Sequence, residues 1–271
     1  MNTEVNYEQF KALTVAVTDR IAVVTMNLPE KLNAVDPVLH YDLETVWAVL
    51  QADPAVNVII LTGAGRAFSA GGDIKELLSR RGTDWGRVKA FTATSRARNI
   101  VDGILSVRKP IIAAVNGDAM GIGATLALIC DISVMSTTAT IGDTHVRVGL
   151  VAGDGGTSIW PLLVGVNKAK EFLMRGRVVN GQEAFDMGLV NHAVAADAVM
   201  DEAQKIAREL NRLPPLAVQW SKVSANAILK QQVNLAFDSG IAFEALSLLS
   251  DDHYEACMAF VEKRKPTFSG N

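Results

Sequence analysis

The chain has 271 residues, of which 49% are hydrophobic and 20% are charged, and its formal net charge is −3. This length and apolar content suit one large globular domain, or a domain with an appendage, and they exclude global disorder. The small negative net charge argues against nucleic acid as the main partner, because binding to phosphates needs a basic surface.

The chain carries no sequence signal for a membrane or for secretion. Its longest apolar run, residues 119–130, is too short to span a bilayer, and the polar residues 1–10 lack the apolar segment of a signal peptide. Cys130 and Cys257 lie in apolar helical patterns, which favours buried free thiols over a disulfide or a nucleophile. We therefore expect a cytoplasmic protein with no membrane partner.

Short apolar and β-branched runs predict strands, and apolar residues at helical spacing predict helices. In chain order, the predicted strands are 13–17, 21–26, 56–62, 111–115, 132–135 and 140–141. The predicted helices are 33–50, 85–107, 121–130, 201–210, 216–230 and 233–250. Strands and helices alternate through the first two-thirds of the chain, which predicts an α/β fold with a mainly parallel sheet. We expect an α/β core over residues 1–200 and a helical C-terminal region over 201–271.

Two glycine-rich stretches each follow a predicted strand and open a helix. They are Ala70-Gly71-Gly72-Asp73 and Gly121-Ile122-Gly123. Unpaired N–H groups and the helix dipole favour an anion at a helix start, and glycine lets a ligand carbonyl approach the backbone. The pair predicts an oxyanion hole, two N–H donors that stabilise negative charge on a carbonyl oxygen. The alternative is that these glycines serve only tight turns and helix–sheet packing.

The chain resembles the crotonase superfamily, also called the enoyl-CoA hydratase/isomerase family, along nearly its whole length. The segments that carry the resemblance are 29–34, 68–74, 121–123, 130–132, 149–157, 181–184, 188–190 and 259–266. It implies a spiral of ββα turns followed by C-terminal helices that pack across subunits, in a homotrimer or a dimer of trimers. It also implies an acyl-CoA substrate, with coenzyme A as part of the substrate and no tightly bound cofactor.

The same resemblance assigns backbone and binding roles. It places the oxyanion N–H groups on Gly72 and Ile122, where isoleucine keeps the N–H but reshapes the pocket. The residues it implies for substrate and CoA binding are Lys31, Leu32, Ala34, Ala70, Gly72, Asp73, Ile74, Phe260 and Lys263. Phe260 and Lys263 match positions that reach the CoA of a neighbouring subunit. Taken alone, Lys31 and Lys263 are also explained as solvated surface charges.

The positions that decide the reaction depart from the family pattern. Hydratases of the family use two glutamates, which align here with Thr125 and His145. Since a threonine cannot act as a base near neutral pH, the two-glutamate mechanism is excluded. The remaining titratable groups are His145, Asp154 and Glu244, and we predict that they are catalytic.

Each of these three residues has a proposed role and a structural alternative. His145 and Asp154 would form an acid–base dyad in which the carboxylate orients the imidazole, and Glu244 would orient substrate or water. The alternatives are a structural histidine for His145, a helix N-cap for Asp154 and a partly exposed helix residue for Glu244.

Two other functions stay open at this point. The three catalytic candidates resemble those of crotonase-fold β-diketone hydrolases of the 6-oxocamphor hydrolase type, which cleave a C–C bond by retro-Claisen hydrolysis without CoA. A structural oligomer that has lost its catalytic activity is the third possibility, because both glutamates are missing.

We predict no metal site, since the four histidines lack ligand spacing, and we expect His192 and His253 at the surface.

Overall fold

The computed structural model describes residues 5–79, 83 and 90–271. The described strands are β1 (Leu13–Thr18), β2 (Ile21–Met26), β3 (Val58–Gly63), β4 (Ala67–Ser69), β5 (Ile111–Val115), β6 (Asp118–Met120), β7 (Ile132–Ser136), β8 (Thr140–Gly142), β9 (Val179–Asn180) and β10 (His192–Val194). The described helices are α1 (Pro37–Ala52), α2 (Ile74–Ser79), α3 (Ala90–Ser106), α4 (Ile122–Ile129), α5 (Gly156–Val164), α6 (Val166–Arg175), α7 (Gly181–Asp186), α8 (Val199–Asn211), α9 (Pro215–Ser247) and α10 (Asp251–Glu262). Short 3₁₀ turns cover Pro29–Lys31, His145–Val148 and Ala196–Ala198.

The described strands form two sheets. The larger has the order β1-β2-β3-β5-β7-β10, with β1 antiparallel to β2 and the other neighbours parallel. The smaller has the order β4-β6-β8-β9, with only β9 antiparallel. The successive pairs β3–β4, β5–β6 and β7–β8 each give one strand to each sheet before the chain turns helical. This repeat is the predicted spiral of ββα turns, and the fold prediction is confirmed.

The larger sheet is buried on both faces, which explains the continuous apolar runs of its central strands. Alternate side chains of a strand point to opposite faces. Val58 and Ile60 of β3 therefore pack against α8, while Ile59 and Leu61 join the larger cluster that includes Trp47 of α1. The predicted boundary between the α/β core and the helical C-terminal region, at residue 200, falls within helix α8. This division stays a prediction.

Three predicted helices differ from the observed ones, and a fourth lies partly outside the described residues. The helix expected from residue 33 begins at Pro37, because the Asp36 carboxylate caps it by accepting from the N–H groups of Val38 and Leu39. The helices expected over 216–230 and 233–250 are one continuous helix, α9, since the intervening Gln231 and Gln232 are good helix formers. The helix expected over 85–107 starts outside the described residues, and its described part is α3.

Two further sequence expectations concern membranes and thiols. Within the described ranges, no single helix is long and apolar enough to cross a membrane, although α9 and α10, bent by 71°, meet the length and composition criteria as a pair. Both cysteines are free thiols, with Cys257 buried and Cys130 half-buried, as the sequence predicts.

Candidate active site

The two glycine-rich loops lie side by side because the strands before them are paired. β4 and β6 are parallel, with Ala67 opposite Asp118, so the loops after their carboxyl ends emerge at the same edge of the smaller sheet. Gly71 and Gly121 both have positive φ, at 91° and 53°. A Cβ on Gly71 would lie 2.8 Å from the carbonyl oxygen of Met120, so only glycine permits this close approach of the loops.

The N–H groups of Gly72 and Ile122 are available to a ligand. Ile122 is the first residue of α4, where a backbone N–H has no acceptor within the helix. Along the described stretches of chain, neither N–H has a hydrogen-bond partner. Both residues line one cavity of about 180 Å³. The arrangement is compatible with the expected oxyanion hole, in which both N–H groups donate to one oxygen.

His145 lies beside this loop pair, at the start of a 3₁₀ turn. A Cβ on Gly121 would lie only 3.3 Å from its Cε1. The His145 Nδ1 is 2.8 Å from Asp143 Oδ1, and its Nε2 is 3.2 Å from Asp154 Oδ2. Burial alone would lower the pKa of His145, but the carboxylates of Asp154 and Asp143 raise it well above the ordinary value.

The raised pKa favours the imidazolium form of His145, in which both ring nitrogens donate to carboxylates. This changes the predicted role of His145, because an imidazolium that donates a hydrogen bond from each ring nitrogen cannot accept a proton as a base. Asp143 is the residue that sequence reasoning missed. Its only signals are its place directly after β8 and its position two residues before His145.

Asp154 contacts the site rather than the helix that follows it. Its Oδ1 accepts from Thr125 Oγ1 at 3.3 Å, and its Oδ2 faces His145. Gly155 is the N-cap of α5, and no side chain caps that helix, so the N-cap alternative is wrong. Thr125, which we expected at the position of a catalytic glutamate, serves here as a donor to Asp154.

Glu244 reaches the same cavity from α9. The helix comes close because Gly153 packs directly on Gly240, where a Cβ on Gly153 would lie 2.4 Å from the Gly240 carbonyl oxygen. The Oε2 atom of Glu244 is buried and has no hydrogen-bond partner in the described part of the chain. Burial and the negative charge of Asp154 raise the pKa of Glu244 to about 8, against the opposing charge of His145. At neutral pH Glu244 is therefore mostly a carboxylic acid, and it lines the same cavity as Asp154.

The predicted CoA-binding residues fall into three groups. Ala70, Gly72, Asp73 and Ile74 line the cavity. Lys31, Leu32 and Ala34 lie in the neighbouring loop, which is tied to the cavity wall by a 2.9 Å hydrogen bond from the Ala70 N–H to the Leu32 carbonyl. Phe260 and Lys263 lie at the exposed end of α10 and do not line the cavity of this chain. The binding roles of all three groups stay predictions.

Lys31 is half-exposed, and its Nζ bonds the Asp36 carboxylate at 3.0 Å. That contact sets the lysine beside the N-cap of α1 and raises its pKa. The ammonium group keeps enough solvent exposure to meet an anionic ligand as well.

Asp143, His145 and Asp154 also form a group whose donor atoms, all within 4.8 Å of one another, could hold a metal ion. Their hydrogen bonds to the His145 ring favour protons on the ring nitrogens over a metal ion between the three side chains. The two carboxylates bind different nitrogens of one ring, and a doubly protonated imidazole has no lone pair for a metal.

His253 is not at the surface, contrary to expectation. It is buried, and its Nδ1 is 2.6 Å from the carbonyl oxygen of Val148, at the end of the 3₁₀ turn that begins with His145. Gly149, with φ of 70°, lets the backbone of α10 approach this turn closely, since a Cβ there would lie 2.8 Å from His253 Cα. Helix α10 thus supports the segment that carries His145.

Comparison with known proteins supplies the family. A family model described as "Enoyl-CoA hydratase/isomerase" matches residues 17–271. The chain is 33% identical over 258 residues to a probable enoyl-CoA hydratase of Mycobacterium leprae, covering 92% of this chain and 95% of that protein. It is 36% identical over 263 residues to the (E)-benzylidenesuccinyl-CoA hydratase of Thauera aromatica, covering 95% and 99%. A crystal structure of an enoyl-CoA hydratase/isomerase from Mycobacterium paratuberculosis matches with a TM-score of 0.86 at 35% identity, over 91% of this chain and 97% of that one.

Proposed function

Because the chain belongs to the enoyl-CoA hydratase/isomerase family, we propose that it adds water to the double bond of an enoyl-CoA, with Asp154 as the base and Glu244 as the acid. One observation carries the proposal. A single cavity brings together two unpaired N–H groups, a carboxylate and a carboxylic acid. These are the parts that an addition through an enolate requires.

The oxyanion hole would act on the thioester carbonyl. When a nucleophile adds to the β-carbon, negative charge moves to the carbonyl oxygen, where the N–H groups of Gly72 and Ile122 stabilise it. Removal of one such donor typically costs roughly 3–4 kcal/mol of transition-state stabilisation.

The two carboxyl groups would divide the proton transfers. Asp154 takes a proton from water while the hydroxyl oxygen bonds to the β-carbon, and Glu244 gives its proton to the α-carbon. His145 stays charged and holds Asp154 in place. A carboxyl group with a raised pKa, such as that of Glu244, keeps its proton at neutral pH and can give it as an acid. This pair would replace the two family glutamates with carboxyls from other elements.

A second candidate, the CoA-independent hydrolysis of a β-diketone, is favoured by one observation. His145, Asp154 and Glu244 do lie at one cavity, as that alternative requires. Water activated by Asp154 would then attack a ketone carbonyl, and the C–C bond would break with the enolate held in the hole. The third possibility is a structural oligomer without catalytic activity. It does not explain why these charged groups are buried, which costs free energy.

We further propose that the chain works in the cytoplasm as a homotrimer or a dimer of trimers. Large apolar side chains are exposed along α9 and α10, including Leu235, Phe243, Leu246 and Phe260. A second copy of the chain would cover such a surface.

A mass-spectrometric screen of acyl-CoAs and free β-diketones tests the proposal. We expect an enoyl-CoA to gain the mass of one water, and Asp154→Asn to slow this by about a hundredfold or more. Asp197→Asn, an exposed aspartate remote from the cavity, is the matched control and should keep wild-type activity. Turnover of a diketone but of no acyl-CoA would assign the hydrolase function instead. Inertness toward both panels, in a well-folded oligomer, would favour the structural reading.

A further inference from the structure

A second histidine lines the cavity, on a different element from His145. His40 lies on α1, and its Nδ1 is 2.8 Å from the Oε1 of Glu44, one helical turn further on. Two residues of α3 hold that carboxylate. Arg96 Nε donates to Oε1 at 2.7 Å, and Asn99 Nδ2 donates to Oε2 at 3.3 Å. The imidazole is therefore oriented by a carboxylate that is itself fixed.

This arrangement sets the tautomer of His40. Since an ionised Glu44 can only accept, the ring proton lies on Nδ1, and Nε2 carries a lone pair. Burial lowers the pKa of His40 below its ordinary value, and the charge of Arg96 lowers it further against the opposing carboxylate of Glu44. His40 is thus a neutral acceptor, whereas His145, between two carboxylates, is a charged donor.

The His40 Nε2 has no partner within the described parts of the chain. The cavity lining mixes polar and apolar side chains, and its apolar residues include Val35, Leu77, Ala97, Ile122, Ile241 and Leu248. An unpaired acceptor at such a cavity is satisfied by a ligand group that donates, and it penalises a ligand that covers it without donating.

We propose that His40 is a specificity residue that accepts a hydrogen bond from a hydroxyl group on the acyl chain of the substrate. The enzyme would then select hydroxylated acyl-CoAs over plain alkyl ones of the same length. The inference rests on the proposed function, because it names the acyl class for that same site.

The polar neighbours of His40 favour a neutral hydroxyl over a charged tail. Arg96 lines the cavity and could in principle bind a carboxylate, but its Nε already pairs with Glu44. Asp73 also lines the cavity, and its negative charge opposes an anionic acyl tail. A hydroxyl carries no charge and meets the acceptor directly.

Paired substrates test the inference. For wild type we expect kcat/KM to be about 10- to 100-fold higher for a hydroxylated enoyl-CoA than for its deoxy analogue. In His40→Leu this ratio should fall to about one, and in His40→Gln, which keeps an acceptor, part of it should return. His192→Leu, on β10, is the matched control and should keep the full ratio. The inference is overturned by a wild-type ratio near one, by a ratio that survives in His40→Leu, or by a preference for a carboxylated chain that Arg96→Gln abolishes.

Two measurements separate this inference from the proposed function. ¹⁵N NMR of the imidazole should find Nε2 of His40 unprotonated at neutral pH, and a protonated Nε2 would overturn the inference without touching the catalytic proposal. If wild type binds acyl-CoAs but converts none, the proposed function fails. Calorimetry would then still test the role of His40. Wild type should bind a hydroxylated acyl-CoA more tightly than its deoxy analogue, and His40→Leu should bind the two equally.

Discussion

Replacement of the Glu244 carboxyl by an amide gives a prediction with a worked magnitude. Since the pKa of Glu244 is raised to about 8, about nine-tenths of the enzyme carries the acid proton at pH 7 and about one-tenth at pH 9. The wild-type kcat/KM, which reports ionisations of the free enzyme, should therefore fall about tenfold between these values. Glu244→Gln cannot give a proton, so its kcat should be about 10²–10⁴-fold lower, and this alkaline fall should disappear.

Steady-state pH profiles of wild type and Glu244→Gln on one enoyl-CoA make the test. Glu209→Gln, an exposed glutamate on α8, is the matched control and should keep both the rate and the alkaline fall. If Glu244→Gln keeps the alkaline fall, or wild type has none, Glu244 is not the acid.

The same shift predicts a change in stability. The folded pKa of Glu244 lies above its ordinary value of 4.5, so its contribution is fully present below about pH 4.5 and is lost as pH rises through about 8. The raised pKa of His145 acts in the same direction at alkaline pH. The free energy of unfolding should therefore be lower at pH 9 than at pH 7, and the part of this loss due to Glu244 is about 1.4 kcal/mol. Denaturant unfolding should find a smaller loss in Glu244→Gln, and an equal loss would contradict the shift.

Four further substitutions, at three positions, probe the residues that support the site. Asp143→Asn removes one of the two charges beside His145, so NMR titration should find the pKa of His145 lowered toward its ordinary range. Thr125→Val removes the donor to Asp154 and should lower kcat/KM about 3- to 10-fold. Asn33→Ala breaks the 2.9 Å bonds from its amide to the carbonyls of Ala64 and Ala67, and denaturant unfolding should find a loss of about 2–4 kcal/mol. Glycine tolerates the φ of 54° at this position, so Asn33→Gly separates the loss of the hydrogen bonds from backbone strain. If neither variant loses stability, the amide of Asn33 does not stabilise the loop.

The loop pair could be predicted from sequence because its signals are local. A strand, a run of glycines and a helix start follow one another within a few residues at Gly72 and again at Ile122. Strands β3 and β5 of the larger sheet were predicted for the same reason, since a continuous apolar run indicates burial on both faces of the sheet. The short strands β4 and β6, whose pairing brings the loops together, were not predicted.

The acid–base set could be predicted only in part, because its geometry depends on tertiary contacts. His145 and Asp154 were candidates by position, but the charge on His145 depends on Asp143, whose carboxylate meets the ring only once the 3₁₀ turn forms. The place of Glu244 depends on the contact between Gly153 and Gly240, far apart in the chain. His40 was counted among the histidines, and its pair with Glu44 is local to α1, but the hydrogen bond by which Arg96 fixes Glu44 depends on the packing of α3.

The central claim, that backbone N–H groups hold the thioester oxyanion, is tested most directly at Ile122. Proline fits the first position of α4, where the missing N–H has no acceptor within the helix. Ile122→Pro removes the donor, while Ile122→Ala removes a similar volume of side chain and keeps it. With thermal unfolding used to verify that both variants fold, we expect the kcat/KM of Ile122→Pro to be about a hundredfold or more below that of Ile122→Ala. Equal kcat/KM for the two folded variants would contradict the account.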